Sequence, residues 1–530
     1  MSISVDREEI QHVITPTDRI TITVPDDPLI VTSNKKSNEQ DGRYVNKPEK
    51  SHLLIPILIC IAIAFAGFTL GWDIGTIGGM TSMESFQNRF GTSYDSQRGV
   101  QYFPDLLLGL IISIFNIGCA VGSVTLAKLA DWFGRKTGLY VTVIIYVIGL
   151  LIQIINDRTW IQFFIGRIVC GFAIGSSNVV APMFLAEVAP VRIRGGIIVF
   201  YQIMLTFGIL MGNIVNYACH QSFPGPNQNE AWKTPLGLGF AWACIMMGGI
   251  WCSPEPAPYL ALKKGRIDSA KESFAMMNGV SKDSKLTDEF IEDMNQKMKE
   301  EIILKKQPRK WFEFVRGEPR LGYRVFIGTI LMASQQLSGI NYFFYYGVTL
   351  FKNAGLNDPY VAAIVMSIVN FVGTFGGIYL VERVGRKLCL VYGSFGMFCC
   401  MIVYSTIGSF ALNLPGTNIG MIVVACIYIA FFATTLGPVT VVLVAELFPL
   451  RTKAISMATC SDANWLANFA ISFTSPLIIS QIGFRYGYVF AACLFFSTIF
   501  SVTNVPETKD KTTSEIDDMF IKGRRQRFSF

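Results

Sequence analysis

Blocks of about twenty consecutive apolar residues, the length a helix needs to cross a ~30 Å hydrocarbon layer, recur along this 530-residue chain. There are twelve, near residues 53–78, 105–127, 138–156, 160–184, 196–219, 236–253, 324–347, 360–381, 388–410, 419–446, 455–478 and 485–504. In lipid every backbone N–H and C=O must be satisfied within the segment, so each block is read as a helix. A mean hydropathy of +0.42 and a charged fraction of only 16% set the chain apart from soluble domains. The expected class is an all-α membrane protein.

The connections between spans give orientation. Lys and Arg gather after even-numbered spans: Lys128, Arg135 and Lys136, then Arg192 and Arg194, then Arg383, Arg386 and Lys387, then Arg451 and Lys453. Connections after odd-numbered spans hold single cations or pairs, such as Arg158 and Lys352. By the positive-inside rule both tails and the long segment after the sixth span face the cytoplasm. The expected divisions are an N-terminal tail over 1–52, a six-helix bundle over 53–253, a linker over 254–323, a second six-helix bundle over 324–504 and a C-terminal tail over 505–530. Phe290, Met294 and Met298 fall at helical spacing, so the linker is expected to hold short amphipathic helices. It is read as a bridge between the bundles, with regulation as the rival role. The first fifty residues are polar, with no cleavable signal, and the first span is expected to direct insertion.

The two bundles repeat one another. Asp131-Trp132-Phe133-Gly134-Arg135-Lys136 is echoed by Glu382-Arg383-Val384-Gly385-Arg386-Lys387, and the run from Glu187 to Arg194 by the run from Glu446 to Lys453. A duplicated six-span unit with a midplane site between its copies describes many secondary transporters. The recurring acidic and basic residues at span ends have two readings. They are topology signals, or they form a latch that holds the two halves together across the cytoplasmic face. Exposed pairs are each worth ~0–1 kcal/mol, so a latch needs a network.

Within the seventh block, Gln335-Gln336-Leu337-Ser338-Gly339-Ile340-Asn341 is followed by Tyr342-Phe343-Phe344-Tyr345-Tyr346. On one continuous helix Gln335, Ser338, Tyr342, Tyr345 and Tyr346 share a face, with Asn341 on its flank. Amides facing lipid are costly, so this face is expected to line protein or a wet cavity. Uncharged donors and acceptors over aromatic surface suit a neutral polyhydroxylated solute. Helix–helix adhesion is the plainer alternative, and Gly339 is placed to loosen the helix in its middle.

Other chemistries find little support. The net charge of +7 resides in short loops, which says little about nucleic acid, and the twelve cysteines are scattered through apolar segments, only Cys399 and Cys400 being adjacent. The three histidines lack metal-ligand spacing, and no Gly-x4-Gly-Lys-Ser/Thr phosphate loop occurs. No metal, no cofactor, no enzymatic activity and no ATP-driven step are expected.

The Gly-Arg-Lys loops, Gly166-Arg167-x3-Gly171-x3-Gly175, Pro182-x4-Glu187-x2-Pro190-x3-Arg194-Gly195 and Gln335-Gln336-x4-Asn341 together resemble the sugar porter family of the major facilitator superfamily. Gly71-Trp72-Asp73, Asn341 to Gly347, Phe448-Pro449-Leu450-Arg451 and Pro506-Glu507-Thr508-Lys509 resemble the yeast hexose transporters in particular. The resemblance runs from about 53 to 510. It implies the major facilitator fold of two pseudo-symmetric six-helix bundles. It also implies a monosaccharide held by Gln202, Gln335, Gln336, Asn341, Asn370 and Asn464, with Asn468 a weaker candidate. The implied gate network comprises Asp131, Arg135, Glu187, Arg194, Glu255, Glu382, Arg386, Glu446 and Lys453.

The chain also departs from the family pattern. Val441 stands where an aromatic residue follows the Gly-Pro of the tenth span, and Leu436 where yeast relatives often carry Trp. The enlarged pocket leaves room for fructose or a polyol. Pro254-Glu255-Pro256-Ala257-Pro258 lacks the family's Arg, which weakens the expected network, and Phe184 replaces a Tyr. In sugar–proton symporters of the superfamily an Asp in span one near an Arg in span four is linked to proton coupling. Here Asp73 and Arg167 are read either as that relay or as a static ion pair.

The expected protein is a plasma-membrane hexose carrier working by alternating access, most simply by facilitated diffusion and as a monomer. Its rivals are a proton-coupled sugar or polyol symporter, and a non-transporting sugar sensor.

Overall fold

The computed structural model describes residues 54–95, 100–155, 159–190, 194–306, 317, 319–356, 358–411, 414–449, 452–511 and 513–522. All of these belong to one compact unit, 47–530. The expected N-terminal tail, the end of the linker and the last eight residues lie outside the described residues.

Among the described residues twelve membrane-length elements are present. Spans one to six are Leu54–Thr81, Asp105–Phe133, Arg135–Ile154, Trp160–Val188, Arg194–Ser222 and Glu230–Cys252. Span seven is two helices, Leu321–Leu337 and Ile340–Asn353. Spans eight and nine are Pro359–Val384 and Arg386–Phe410. Span ten runs Thr417–Phe431, widens to a π-helical turn at Phe432–Leu436 and resumes as Gly437–Glu446. Span eleven is Lys453–Ile482, a 3-10 turn covers Gly483–Tyr486, and span twelve is Gly487–Asn504. Most helices overrun the apolar blocks, because end turns continue into polar residues that hydrogen-bond outside the lipid.

Packing repeats between halves. Span one lies on span five and span seven on span eleven; span two lies on span four and span eight on span ten; span three packs on span six and span nine on span twelve. The main seams between halves are spans two with eleven and five with eight, which the same pseudo-twofold exchange interconverts, and span one also meets the second helix of span seven. Small residues permit the close approaches. A Cβ on Gly75 would sit 2.5 Å from the Ile209 carbonyl oxygen on span five.

Four of the hydrogen bonds joining described residues of the two halves cluster at one end. Ser82 and Thr349 hydroxyls lie 3.1 Å apart, Tyr360 donates to the Gly79 carbonyl at 3.0 Å, and Asn213 donates to Ser367 at 2.9 Å. Gln221 reaches Asp358 at 3.5 Å. This end is opposite the basic loops.

The elements after span one and a C-terminal helix were not anticipated, whereas short helices in the linker were expected. The connection after span one holds a short helix, Glu84–Phe90, and a two-stranded antiparallel hairpin, Ser93–Asp95 with Val100–Tyr102. The linker forms helices Ala257–Leu262, Ile267–Asn278 and Lys285–Lys306, with a small core in which Phe274 stacks on Phe290 at 4.2 Å. The stretch read as a charged C-terminal tail contains a helix, Thr513–Lys522, whose Ile516 and Phe520 are buried. It docks on Arg324, whose guanidinium is fully buried, lies 2.6 Å from Asp517 and covers the Phe520 ring at 4.3 Å.

Candidate functional site

Span seven breaks at Gly339, which adopts φ 88 and ψ 19. A side chain there would be strained by the left-handed backbone and would meet the Phe490 ring at 2.6 Å. The single continuous face expected from Gln335 to Tyr346 is therefore corrected: two helices meet, and helical spacing does not carry across the break. The freed carbonyls find partners. Tyr428 donates to the Ser338 carbonyl at 2.7 Å, and the Ser338 hydroxyl donates to the Gln335 carbonyl at 2.7 Å.

Around the break four of the expected amides and Asn468 form one network. Gln335 Nε2 donates to the Leu436 and Gly437 carbonyls at 3.2 and 2.9 Å, where span ten leaves its π-turn. Gln335 Oε1 accepts from Asn464 Nδ2 at 2.8 Å, and Asn464 also donates to the Met332 carbonyl at 2.9 Å. Gln336 Nε2 donates to Asn464 Oδ1 at 3.0 Å. Asn341 Nδ2 donates to Gln336 Oε1 at 2.8 Å and to Asn468 Oδ1 at 2.9 Å.

Counting donors decides what is left for a ligand. Both N–H groups of Gln335 are committed, so it pins span seven to span ten. One N–H of Gln336 and the Oδ1 of Asn341 remain open. The side-chain amides of Gln202 and Asn370 have no hydrogen-bond partner among the described residues. They are not part of the network. They lie along the seam of spans five and eight, where Phe207 packs on Phe371 at 5.6 Å. Val441 is 46% exposed, so its small side chain leaves open space, whereas Leu436 is buried and contributes its carbonyl.

Asp73 and Arg167 meet as expected. Arg167 Nη1 lies 2.5 Å from Asp73 Oδ1 and the guanidinium covers the Phe115 ring at 4.5 Å. The pair joins spans one and four inside the first half.

The acidic and basic residues expected in the gate network pair as follows in this conformation. Arg135 faces Glu187 at 3.5 Å, and Arg386 donates to Glu446 at 2.8 Å. Each of these two pairs joins residues of one half. Glu255 accepts the Lys136 backbone N–H at 3.2 Å, and Glu507 accepts those of Arg386 and Lys387 at 2.9 and 3.0 Å. Burial pushes the Glu255 carboxyl above its ordinary value of 4.5, against the opposing pull of the Lys136 and Arg135 N–H groups and charges. Glu382 is exposed and Lys453 partly exposed, neither with an ion pair among the described residues; the side chains of Asp131 and Arg194 lie outside those described.

Sequence reading named Glu507 only within a family motif and passed over Asp517, Arg324 and Asp462. The last was the most legible, an acid in the interior of an apolar span.

The profile of the family described as "Sugar (and other) transporter" matches residues 59–520. The Saccharomyces cerevisiae hexose transporter HXT14 is 47% identical over 92% of this chain and 92% of its own length. The low-affinity glucose transporter HXT3 of the same organism is 41% identical over 88% of this chain and 82% of its own. Among solved structures, the partially occluded inward-open xylose transporter XylE of E. coli superposes with a TM-score of 0.71. It is 24% identical, covering 86% of this chain and 99% of that one, and that likeness concerns the fold. With a profile spanning nearly the whole chain and relatives at this level of identity, the chain belongs to the sugar transporter family.

Proposed function

We propose that this protein carries a hexose across the plasma membrane by alternating access, as a uniporter acting as a monomer. The observation that supports it is the amide network at the break of span seven. It presents open hydrogen-bonding groups from Gln336 and Asn341, with the unpartnered amides of Gln202 and Asn370 on the adjoining seam. Uncharged donors and acceptors in an apolar surround select a neutral polyhydroxylated solute and exclude ions. Relatives named as hexose transporters support the same substrate class. The four ties at the end opposite the basic loops describe one limit of the cycle. The basic loops support a topology in which the other end, both tails and the 254–323 linker face the cytoplasm.

The open space at Val441 extends the substrate range to fructose. No cofactor, metal or covalent step is needed, since transport requires only differential binding by two conformations.

The test is uptake of labelled glucose and fructose by the full chain in a yeast lacking its own hexose carriers, with and without a protonophore. Uptake that equilibrates, never concentrates and ignores the protonophore is expected. A second reading, sugar–proton symport, is favoured by the buried Asp73–Arg167 pair. Concentrative, protonophore-sensitive uptake with external alkalinisation would replace the first reading with that one. No uptake of either sugar at normal surface expression would overturn both.

A further inference from the structure

Two acids lie in the interior of the twelve spans, away from helix ends: Asp73 and Asp462. Asp73 has Arg167. Asp462, on span eleven, has no ion pair among the described residues, where its side chain meets a hydroxyl from the other half. Ser123 Oγ on span two lies 2.9 Å from Asp462 Oδ1. Of the hydrogen bonds joining described residues of the two halves, four lie toward the end opposite the basic loops. This is the one on the basic-loop side.

The geometry around Ser123 is specific. Its Oγ also lies 2.8 Å from the Ala120 carbonyl oxygen. A serine hydroxyl has one proton and two lone pairs, so it cannot donate to both. With Asp462 ionised, Ser123 donates to the carboxylate. With Asp462 protonated, the acid donates to Ser123 Oγ and the serine proton turns to the Ala120 carbonyl. The same atom positions satisfy both protonation states. A group that had to remain charged, such as Asp73 against Arg167, is not built this way.

We propose that Asp462 is a proton-exchanging group at the moving seam between the halves, which makes closure of the basic-loop end depend on pH. The inference rests on the transport reading. Asp462 is partly exposed while Ser123 is 4% exposed. Rocking that releases the four ties at the far end brings the basic-loop portions of spans two and eleven together over Asp462. An ionised carboxylate enclosed there with one hydroxyl partner is unfavourable, and a neutral acid is not. A proton therefore moves from water on the basic-loop side onto Asp462 Oδ as that end closes, and returns to the same water as it opens. No net proton crosses the membrane.

The charged groups on neighbouring elements leave Asp462 to titrate by itself. Span two offers Asp105 at its far end and Lys128, which is exposed, with the Asp131 side chain outside those described. Span seven offers Arg324, committed to Asp517, and Lys352 at its far end. Span ten offers Glu446, committed to Arg386. On the chain of span eleven itself stand Lys453 at its start and Arg485 just beyond its end.

The experiment is sugar exchange by the purified full chain in liposomes at equal pH inside and out, from acid to alkaline. It is accompanied by infrared titration of the carboxylic-acid band in the same preparation without sugar. For the unaltered protein, exchange is expected to fall roughly tenfold toward alkaline pH, with a carboxylic-acid band lost over the same range. Asp462→Asn should remove that band and hold exchange flat at the acid-limb rate. Ser123→Ala should move the midpoint without abolishing the titration. A pH profile unchanged in Asp462→Asn, or a band that persists in it, overturns the proposal. So does a pH-independent unaltered protein. If Asp462→Asn does not fold, an unmoved midpoint in Ser123→Ala overturns it by itself. Absence of any sugar exchange would sink the transport reading, while the infrared titration would still judge Asp462.

Discussion

Glu255 and Glu507 hold equivalent positions in the two halves. Each carboxylate sits over the start of the helix that follows a left-handed glycine, Gly134 at φ 123 and Gly385 at φ 102. A Cβ on either glycine would stand 2.8 Å from the facing carboxylate oxygen. The carboxylates take the unsatisfied N–H groups of that first turn, where helix ends are positive. The paired Gly-Arg-Lys loops are thus helix N-termini closed by an acid from far along the chain.

Glu255→Gln should remove a pH dependence of stability. Burial raises the folded-state pKa of Glu255, so the folded protein binds a proton more tightly than the unfolded one. The contribution is therefore favourable below about pH 4.5, the ordinary value, and is lost as pH rises through the higher folded-state value. A glutamine keeps an acceptor for the Lys136 N–H without the charge. Melting temperatures of the purified variant should gain on the unaltered protein as pH rises from 4.5 toward neutrality. Parallel curves would contradict it.

Asn341→Ala and Gln335→Ala should fail in different ways. Asn341 keeps an open acceptor, so its loss should raise KM roughly tenfold, the value of a single good hydrogen bond. Gln335 has no open donor and ties span seven to span ten. Its removal leaves Asn464 Nδ2 without one acceptor and should lower the maximal rate more than the apparent affinity. Concentration series of uptake, normalised to surface protein, separate the two. Equal effects on KM would put Gln335 in direct contact with sugar.

Much of this was legible beforehand for physical reasons. Membrane spans are written as length and hydropathy, and duplication as repeated loops, so twelve helices in two bundles could be counted from sequence. The amides could be found because each is anomalous in an apolar helix. Which of their N–H groups were already committed could not, since Gln335 spends its donors on carbonyls about a hundred residues away at a π-turn with no sequence mark. Arg135 and Arg386 look the same in sequence whether they bridge halves or brace one, and in this conformation they stand beside Glu187 and Glu446 of their own halves. The Thr513–Lys522 helix was hidden because its burial depends on Arg324, a cation just before an apolar block that reads as a topology signal.

Asp517→Ala should destabilise the protein. It leaves the Arg324 guanidinium, whose Nε and Nη2 lack partners among the described residues, buried beside the Leu447 carbonyl at 3.1 Å and the Phe520 ring. Breaking a buried ion pair by deleting one member costs about 3 kcal/mol. The readout is a lowered melting temperature together with faster proteolysis of the C-terminal helix. Arg324→Met with Asp517→Leu, which removes both charges and keeps apolar contact with Phe520, should recover most of the loss. If the single and double variants melt alike, the helix is not held by this pair.

Val441→Trp should shift sugar preference toward glucose. Val441 lies on the segment that resumes after the π-turn, directly beyond the Leu436 and Gly437 carbonyls that hold Gln335. Its partial exposure means a larger side chain meets open space and not packed core. An indole there adds a flat apolar surface on which a pyranose ring can stack, and narrows the space left to a furanose or an open-chain polyol. Gln335 and the network behind it are untouched, so surface expression should hold. The ratio of glucose to fructose uptake, measured at concentrations below both KM values, should rise several-fold, since one apolar contact is worth about 1–3 kcal/mol in discrimination. A ratio that does not move would remove Val441 from the sugar pocket and leave substrate choice to the amides alone.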